Sequence, residues 1–111
     1  MIWVSDSLRA EDYYCRVLGF EKMFAYRPDP SRPDPSHFGI ARDGVWLHLD
    51  SFKPERAGMT ATMIWVDDVD QIYDEISARG ALTEPPPTDQ TLGNREASVR
   101  DHDGNRLVFA K

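Results

Sequence analysis

Short apolar runs alternate with amphipathic ones along this chain, in an order that occurs twice. Met1-Ile2-Trp3-Val4-Ser5-Asp6 returns as Met63-Ile64-Trp65-Val66-Asp67-Asp68, from Met1 to Met63 an offset of 62. After the first copy, Ala10, Tyr13, Tyr14, Val17 and Leu18 recur at helical spacing; after the second, Val69, Ile72, Tyr73 and Ile76 do so. Asp6 and Asp68 are placed as N-caps, and Gly19 and Gly80 as left-handed residues that end each helix. Each half closes on a turn between strand-like runs. Arg42-Asp43-Gly44 separates Phe38 to Ala41 from Val45 to Leu49; Arg100-Asp101-His102-Asp103-Gly104 separates Glu96 to Val99 from Asn105 to Ala110. Both halves therefore read strand, helix, strand, hairpin. One half alone could not bury its sheet face, so the two are expected to share a core.

The fold class predicted is α+β, with tandem βαβββ modules whose sheets curve around a cleft. The first repeat spans about residues 1–51, a connector about 52–60, and the second repeat about 61–111, together one domain. Two proline-rich stretches interrupt the halves. Arg27-Pro28-Asp29-Pro30-Ser31 is repeated as Arg32-Pro33-Asp34-Pro35-Ser36, and Glu84-Pro85-Pro86-Pro87 is its counterpart. Alternate prolines cannot join a sheet interior, so both are expected to be exposed loops.

Period-two alternation assigns the sheet faces. Ile2, Val4, Leu47, Leu49, Ile64, Val66, Leu107 and Phe109 form the set expected under the helices. Trp3, Trp46, His48, Met63, Trp65, Arg106 and Val108 point the other way. Carrying the register through the hairpins adds Phe38, Ile40, Glu96 and Ser98 to that second face. Three tryptophans on a face turned away from the helices mark an interface or a ligand site rather than a solvated surface. Aromatic walls with a few polar groups suit a small-molecule pocket. The other reading is a dimer interface, and both hold if a dimer completes the cavity.

These residues resemble the vicinal-oxygen-chelate superfamily of glyoxalases, bleomycin-resistance proteins and dioxygenases. The resemblance is carried by Val4-Ser5-Asp6 through Tyr13-Tyr14 to Val17-Leu18-Gly19-Phe20, and by Val66-Asp67-Asp68-Val69 to Arg79-Gly80-Ala81. Its most specific part is Gly93 to Asn105, similar to the closing hairpin of that family. It implies paired βαβββ modules, commonly in a homodimer, and in many members a divalent metal held at set points of four strands. The position matching the first ligand lies upstream of Met1, those in two later strands are Ala61 and Val108, and only His48 is of a ligand type. The resemblance thus points to the metal-free members, which bind a drug without chemistry.

Composition narrows the partners. A net charge of −6 argues against nucleic acid, which requires clustered cations, and is compatible with a cationic ligand. No apolar run approaches the ~20 residues that span a bilayer, and no signal-peptide pattern opens the chain, so a cytoplasmic location is expected. Cys15, the single cysteine, excludes an intramolecular disulfide.

The ligand-binding residues expected are Trp3, Phe38, Trp46, His48, Met63, Trp65, Glu96, Ser98 and Arg106, with no catalytic residue, no metal ligand and no cofactor. Trp3, Trp46 and Trp65 would stack an aromatic or cationic ligand; His48, Glu96 and Arg106 would orient it. Glu96 has an alternative structural partnership with Arg106 or Arg95. His37 reads as a loop histidine able to contact a ligand, and His102 as a solvated turn residue. The leading function is metal-independent binding or sequestration of a small molecule, antibiotics included. The alternatives are a metal-dependent lyase, isomerase or dioxygenase using His48, Glu96 and His37, and a non-catalytic module whose tryptophan face is consumed in a dimer.

Overall fold

The computed structural model describes residues 1–111. Its strands are β1 (Ile2–Trp3), β2 (Glu21–Tyr26), β3 (His37–Arg42), β4 (Val45–Asp50), β5 (Ala61–Trp65), β6 (Leu82–Thr83), β7 (Thr88–Asp89), β8 (Arg95–Arg100) and β9 (Arg106–Ala110). Helix α1 spans Ser7–Asp12 and runs on through a wider π turn at Tyr13–Val17; α2 spans Val69–Ala78. The first sheet has the order β1-β4-β3-β2 and the second β5-β9-β8-β6, with β7 also on β8. In both, the strand before the helix lies parallel to the last strand of its half, so the doubled sequence pattern is a doubled topology.

The capping signals act as their chemistry requires. Asp6 accepts the Arg9 N–H and Asp68 the Gln71 N–H, each satisfying a donor left open by the first helical turn. Gly19 (φ 79°) and Gly80 (φ 90°) turn the chain out of the helices in the left-handed region.

One core of 18 buried side chains draws on both halves, from Ile2, Tyr14 and Phe38 to Ile76, Leu107 and Phe109. The two halves are also stitched by polar contacts. Tyr13 Oη donates to the Arg100 carbonyl at 2.6 Å and accepts the Leu82 N–H at 2.9 Å. Arg42 forks onto Glu75 of α2 at 2.7 and 3.0 Å, so the first hairpin is clamped to the second helix. At the centre lies Asp101, whose carboxylate accepts the Asp103 and Asn105 N–H groups, the Tyr14 hydroxyl and Asn105 Nδ2. Asn105 Nδ2 also donates to the Trp3 carbonyl.

Two expectations need correction. The second arginine-proline repeat is tied down at its end rather than free. Asp34 accepts from the Ser51 hydroxyl and the Ser7 N–H, and Ser36 is fully buried. Phe38 and Ile40 face the core, both fully buried, instead of joining the tryptophan face. The reason is parity. With only Asp43 and Gly44 between Arg42 and Val45, Phe38 pairs with Leu49 and Ile40 with Leu47, even numbers against odd. In the second hairpin Arg100 pairs with Arg106 across five loop residues, so even meets even, and Glu96 and Ser98 do share the face of Val108 and Arg106.

The molecule is elongated, 47 × 24 × 23 Å, with a radius of gyration of 14.2 Å. A compact chain of this length has about 13 Å. The sheet faces turned from the helices are left open by this arrangement.

Candidate functional site

On the first sheet the open face is set by the β3–β4 register. His37 pairs with Asp50, Gly39 with His48 and Ala41 with Trp46, so His37, His48, Asp50 and Trp46 share one side. β2 adds aromatic rings because of a bulge. Between Lys22 and Phe24 the register shifts at Met23, which reverses the parity and brings Phe24 opposite Gly39 and Tyr26 opposite His37. A Cβ on Gly39 would lie 2.2 Å from the Phe24 ring, so the missing side chain is what allows Phe24 to cross β3. There the ring stacks on His37 (centroids 6.0 Å) and meets His48 edge-on (5.4 Å). Tyr26 stacks on Phe52 beyond it.

Three titratable groups form a chain of hydrogen bonds on this face. Asp50 Oδ2 lies 2.8 Å from His37 Nδ1, and His37 Nε2 lies 3.1 Å from His48 Nδ1. Asp50 is buried, His37 half-buried and His48 exposed, so the chain runs from the protein outward.

The second sheet presents Met63, Trp65, Glu96, Ser98, Arg106 and Val108 on its open side. Arg106 donates to Ser98 Oγ at 3.1 Å and lies 3.6 Å from Glu84, which also pairs with Arg100 at 3.1 Å. The partners foreseen for Glu96 are occupied elsewhere, since Arg95 is shared between Asp70 and Asp89. Glu96 forms no ion pair.

The structure therefore places Trp46 and His48 together on one sheet, and Met63, Trp65, Glu96, Ser98 and Arg106 together on the other. Trp3 is half-buried, with the Lys53 ammonium and Arg56 guanidinium over its ring at 5.9 and 5.4 Å, so its own chain already occupies one face. Phe38 belongs to the core. Trp46 and Trp65 are the exposed pair, at 54% and 60%. A cavity of about 520 Å³ opens where the β3–β4 turn meets the start of α2; of the expected ligand residues only Trp65 lines it, beside Asp43, Val45, Asp68, Gln71 and Glu75.

Sequence reasoning missed Phe24, Tyr26, Phe52 and Asp50. The bulge at Met23 hid Phe24 and Tyr26 by breaking the alternation of β2. Asp50 follows Trp46 and His48 at the next alternate position of β4, a signal that was there to read, and Phe52 lies beyond the strand. His37 read as part of the proline loop, although it is the first residue of β3.

A divalent metal does not fit these residues. His37 and His48 offer two adjacent imidazole nitrogens, fewer than the three protein ligands usual in catalytic zinc sites. Asp50 is turned to His37 Nδ1 and the Phe52 N–H, Glu96 stands on the other sheet, and no group of three or more His, Cys, Asp or Glu side chains is arranged so that it could hold a metal ion. No helix is long and apolar enough to cross a membrane.

Comparison with known proteins places this geometry. The family model described as Glyoxalase/Bleomycin resistance protein/Dioxygenase superfamily matches residues 1–109. A superfamily member from Sphaerobacter thermophilus is 26% identical, with a TM-score of 0.77 over 98% of this chain and 90% of that one. TnmS3, an antibiotic binding protein from Streptomyces sp. CB03234, is 27% identical, with a TM-score of 0.77 over 97% of this chain and 88% of its own. The bleomycin-binding protein of Streptomyces verticillus, solved with copper(II)-bleomycin, shares the fold at 24% identity, a TM-score of 0.76 and coverage of 97% and 88%. No curated protein matches the chain by sequence.

Proposed function

Because this chain belongs to the Glyoxalase/Bleomycin resistance protein/Dioxygenase superfamily, we propose that it binds and sequesters an aromatic small molecule, antibiotics included, without a metal and without chemistry. The observation that carries this reading is the exposure of Trp46, Trp65 and Met63 on sheet faces turned from the helices. Isolated exposed apolar residues are ordinary, but large aromatic groups aligned on an open sheet face need a partner. Phe24, Tyr26 and Phe52 extend the apolar wall on the first sheet, while Ser98 and Arg106 supply polar groups on the second. Antibiotic-binding relatives of the same fold support the ligand class.

The elongated shape supports a second element of the reading, that two copies of the chain enclose the ligand. Each open sheet would face the open sheet of the other copy, in an isologous pair. A cytoplasmic location accompanies this proposal.

Equilibrium dialysis against a panel of aromatic antibiotics, in buffer with a metal chelator, tests the function. Retention of at least one compound at one per chain, unaltered by the chelator, is expected. Binding that appears only after zinc, nickel or manganese is added would replace the sequestration reading with a metal-dependent one. Light scattering during size exclusion tests the assembly, with a dimer mass expected.

A further inference from the structure

The Asp50–His37–His48 chain of hydrogen bonds has a direction, and that direction decides what His48 offers a ligand. An ionised carboxylate only accepts, so the contact at Asp50 Oδ2 puts the hydrogen on His37 Nδ1. The other oxygen, Oδ1, accepts the Phe52 N–H at 2.7 Å. Neutral His37 then has a bare Nε2, which must accept from His48 Nδ1–H at 3.1 Å. His48 is left with an unprotonated Nε2 that has no partner within the chain. An ordinary exposed imidazole is free to exchange between its two tautomers; here two successive hydrogen bonds select one.

The surroundings narrow what this lone pair would accept. Trp46 lies two residues along the same strand face, and Phe24 packs against both imidazoles, so the partner is carried on an aromatic body. Asp50 is buried and each of its oxygens already accepts a hydrogen bond from within the chain, so it offers little surface to a cationic ligand. At the β1 end of the relay the cations Lys53 and Arg56 lie over Trp3, which pairs in register with Asp50, and Glu55 belongs to the same short turn. Glu21, opposite Ala41, lies toward the other end of the face. The bare nitrogen calls for a donor, and a neutral hydroxyl supplies one without bringing a further positive charge beside Lys53 and Arg56.

We propose that the relay makes His48 Nε2 the hydrogen-bond acceptor for a phenol-type hydroxyl of the bound aromatic ligand. His48 is the contact residue; His37 and Asp50 are positioning residues that fix its tautomer. The assignment rests on the open sheet face being the ligand site.

Two measurements test it. Long-range proton–nitrogen correlation spectra of the nitrogen-15-labelled chain, above the pH at which imidazoles titrate, read each tautomer without any ligand. His37 and His48 should both carry hydrogen at Nδ1 in the native chain, and His48 should lose that preference in His37→Phe. An Nε2–H tautomer at His48 in the native chain would overturn the proposal. The second compares 2-naphthol with 2-methoxynaphthalene, alike in shape but differing in the donor, by shifts of the tryptophan indole N–H signals. One neutral hydrogen bond corresponds to about tenfold in affinity. Naphthol should bind about tenfold more tightly to the native chain and equally with the ether to His48→Phe. Equal binding of both to the native chain would overturn the proposal yet leave the aromatic site standing. Shifts with neither probe would also overturn it, while the antibiotic panel decides separately whether the face binds ligands at all. Zinc taken up at one per chain through both His37 and His48 would overturn it by making the pair a metal site.

Discussion

Replacing Tyr14 with phenylalanine removes one oxygen atom at the junction of the two halves. The ring is fully buried and packs edge-on against Tyr13 and Phe20, contacts that phenylalanine keeps. What is lost is the 2.9 Å hydrogen bond from Oη to Asp101 Oδ2. Burial, then the Asp101 carboxylate, holds this hydroxyl far above the ordinary tyrosine range, so it is a donor throughout the stable pH range. A hydrogen bond to a charged acceptor contributes about 1.5–3 kcal/mol net. Asp101 retains Asn105 Nδ2 on Oδ2 and two backbone donors on Oδ1, so it is not stranded. The loss therefore belongs near the lower end, about 2 kcal/mol. In urea melts the midpoint should fall while the slope stays constant, because the surface exposed on unfolding is unchanged. Thermal unfolding should shift down by roughly 8 °C. A loss below about 0.5 kcal/mol would refute the assignment of this junction as a main fastening between the halves; hydrogen bonds of that weight are those made by exposed groups.

Two further outcomes follow from the same geometry. Gly58→Ala should destabilise by about 1–3 kcal/mol in urea melts, because φ is +87° and a Cβ would lie 2.2 Å from the Asp103 backbone carbonyl, which cannot swing aside. The Arg42 guanidinium holds the Glu75 carboxyl below its usual range. A depressed folded-state value adds stability above the unfolded value of 4.5 and loses it as pH falls through the folded one. Glu75→Gln should therefore flatten the acid limb of a stability–pH profile below about pH 4.5 and leave its shape near neutrality unchanged.

Much of this architecture was legible because local chemistry and global topology agree. Asp6 and Asp68 cap, Gly19 and Gly80 stop, and the alternation in β1, β4, β5 and β9 puts Ile2, Leu49, Ile64 and Phe109 in the core. The face of β3 was not legible from alternation alone, since a two-residue and a five-residue loop return the chain with opposite parity. Phe24 escaped for a related reason, the bulge at Met23. His48 stood out by its aromatic neighbours, whereas the relay behind it needed the pairing of His37 with Asp50, a long-range register that no local pattern encodes. The stacking of Lys53 and Arg56 on Trp3 likewise depends on how the connector folds back.

The central claim is that the exposed tryptophan faces hold an aromatic ligand, and tryptophan fluorescence of the native chain and of Trp65→Ala, titrated with aromatic antibiotics in chelator, tests it most directly. Saturable quenching at one ligand per chain is expected, weakened in the variant by roughly 1–3 kcal/mol, the scale of burying one large apolar side chain. Tryptophans that no compound quenches and that a small neutral quencher cannot reach would contradict the claim, and would assign the face to contact between copies of the chain.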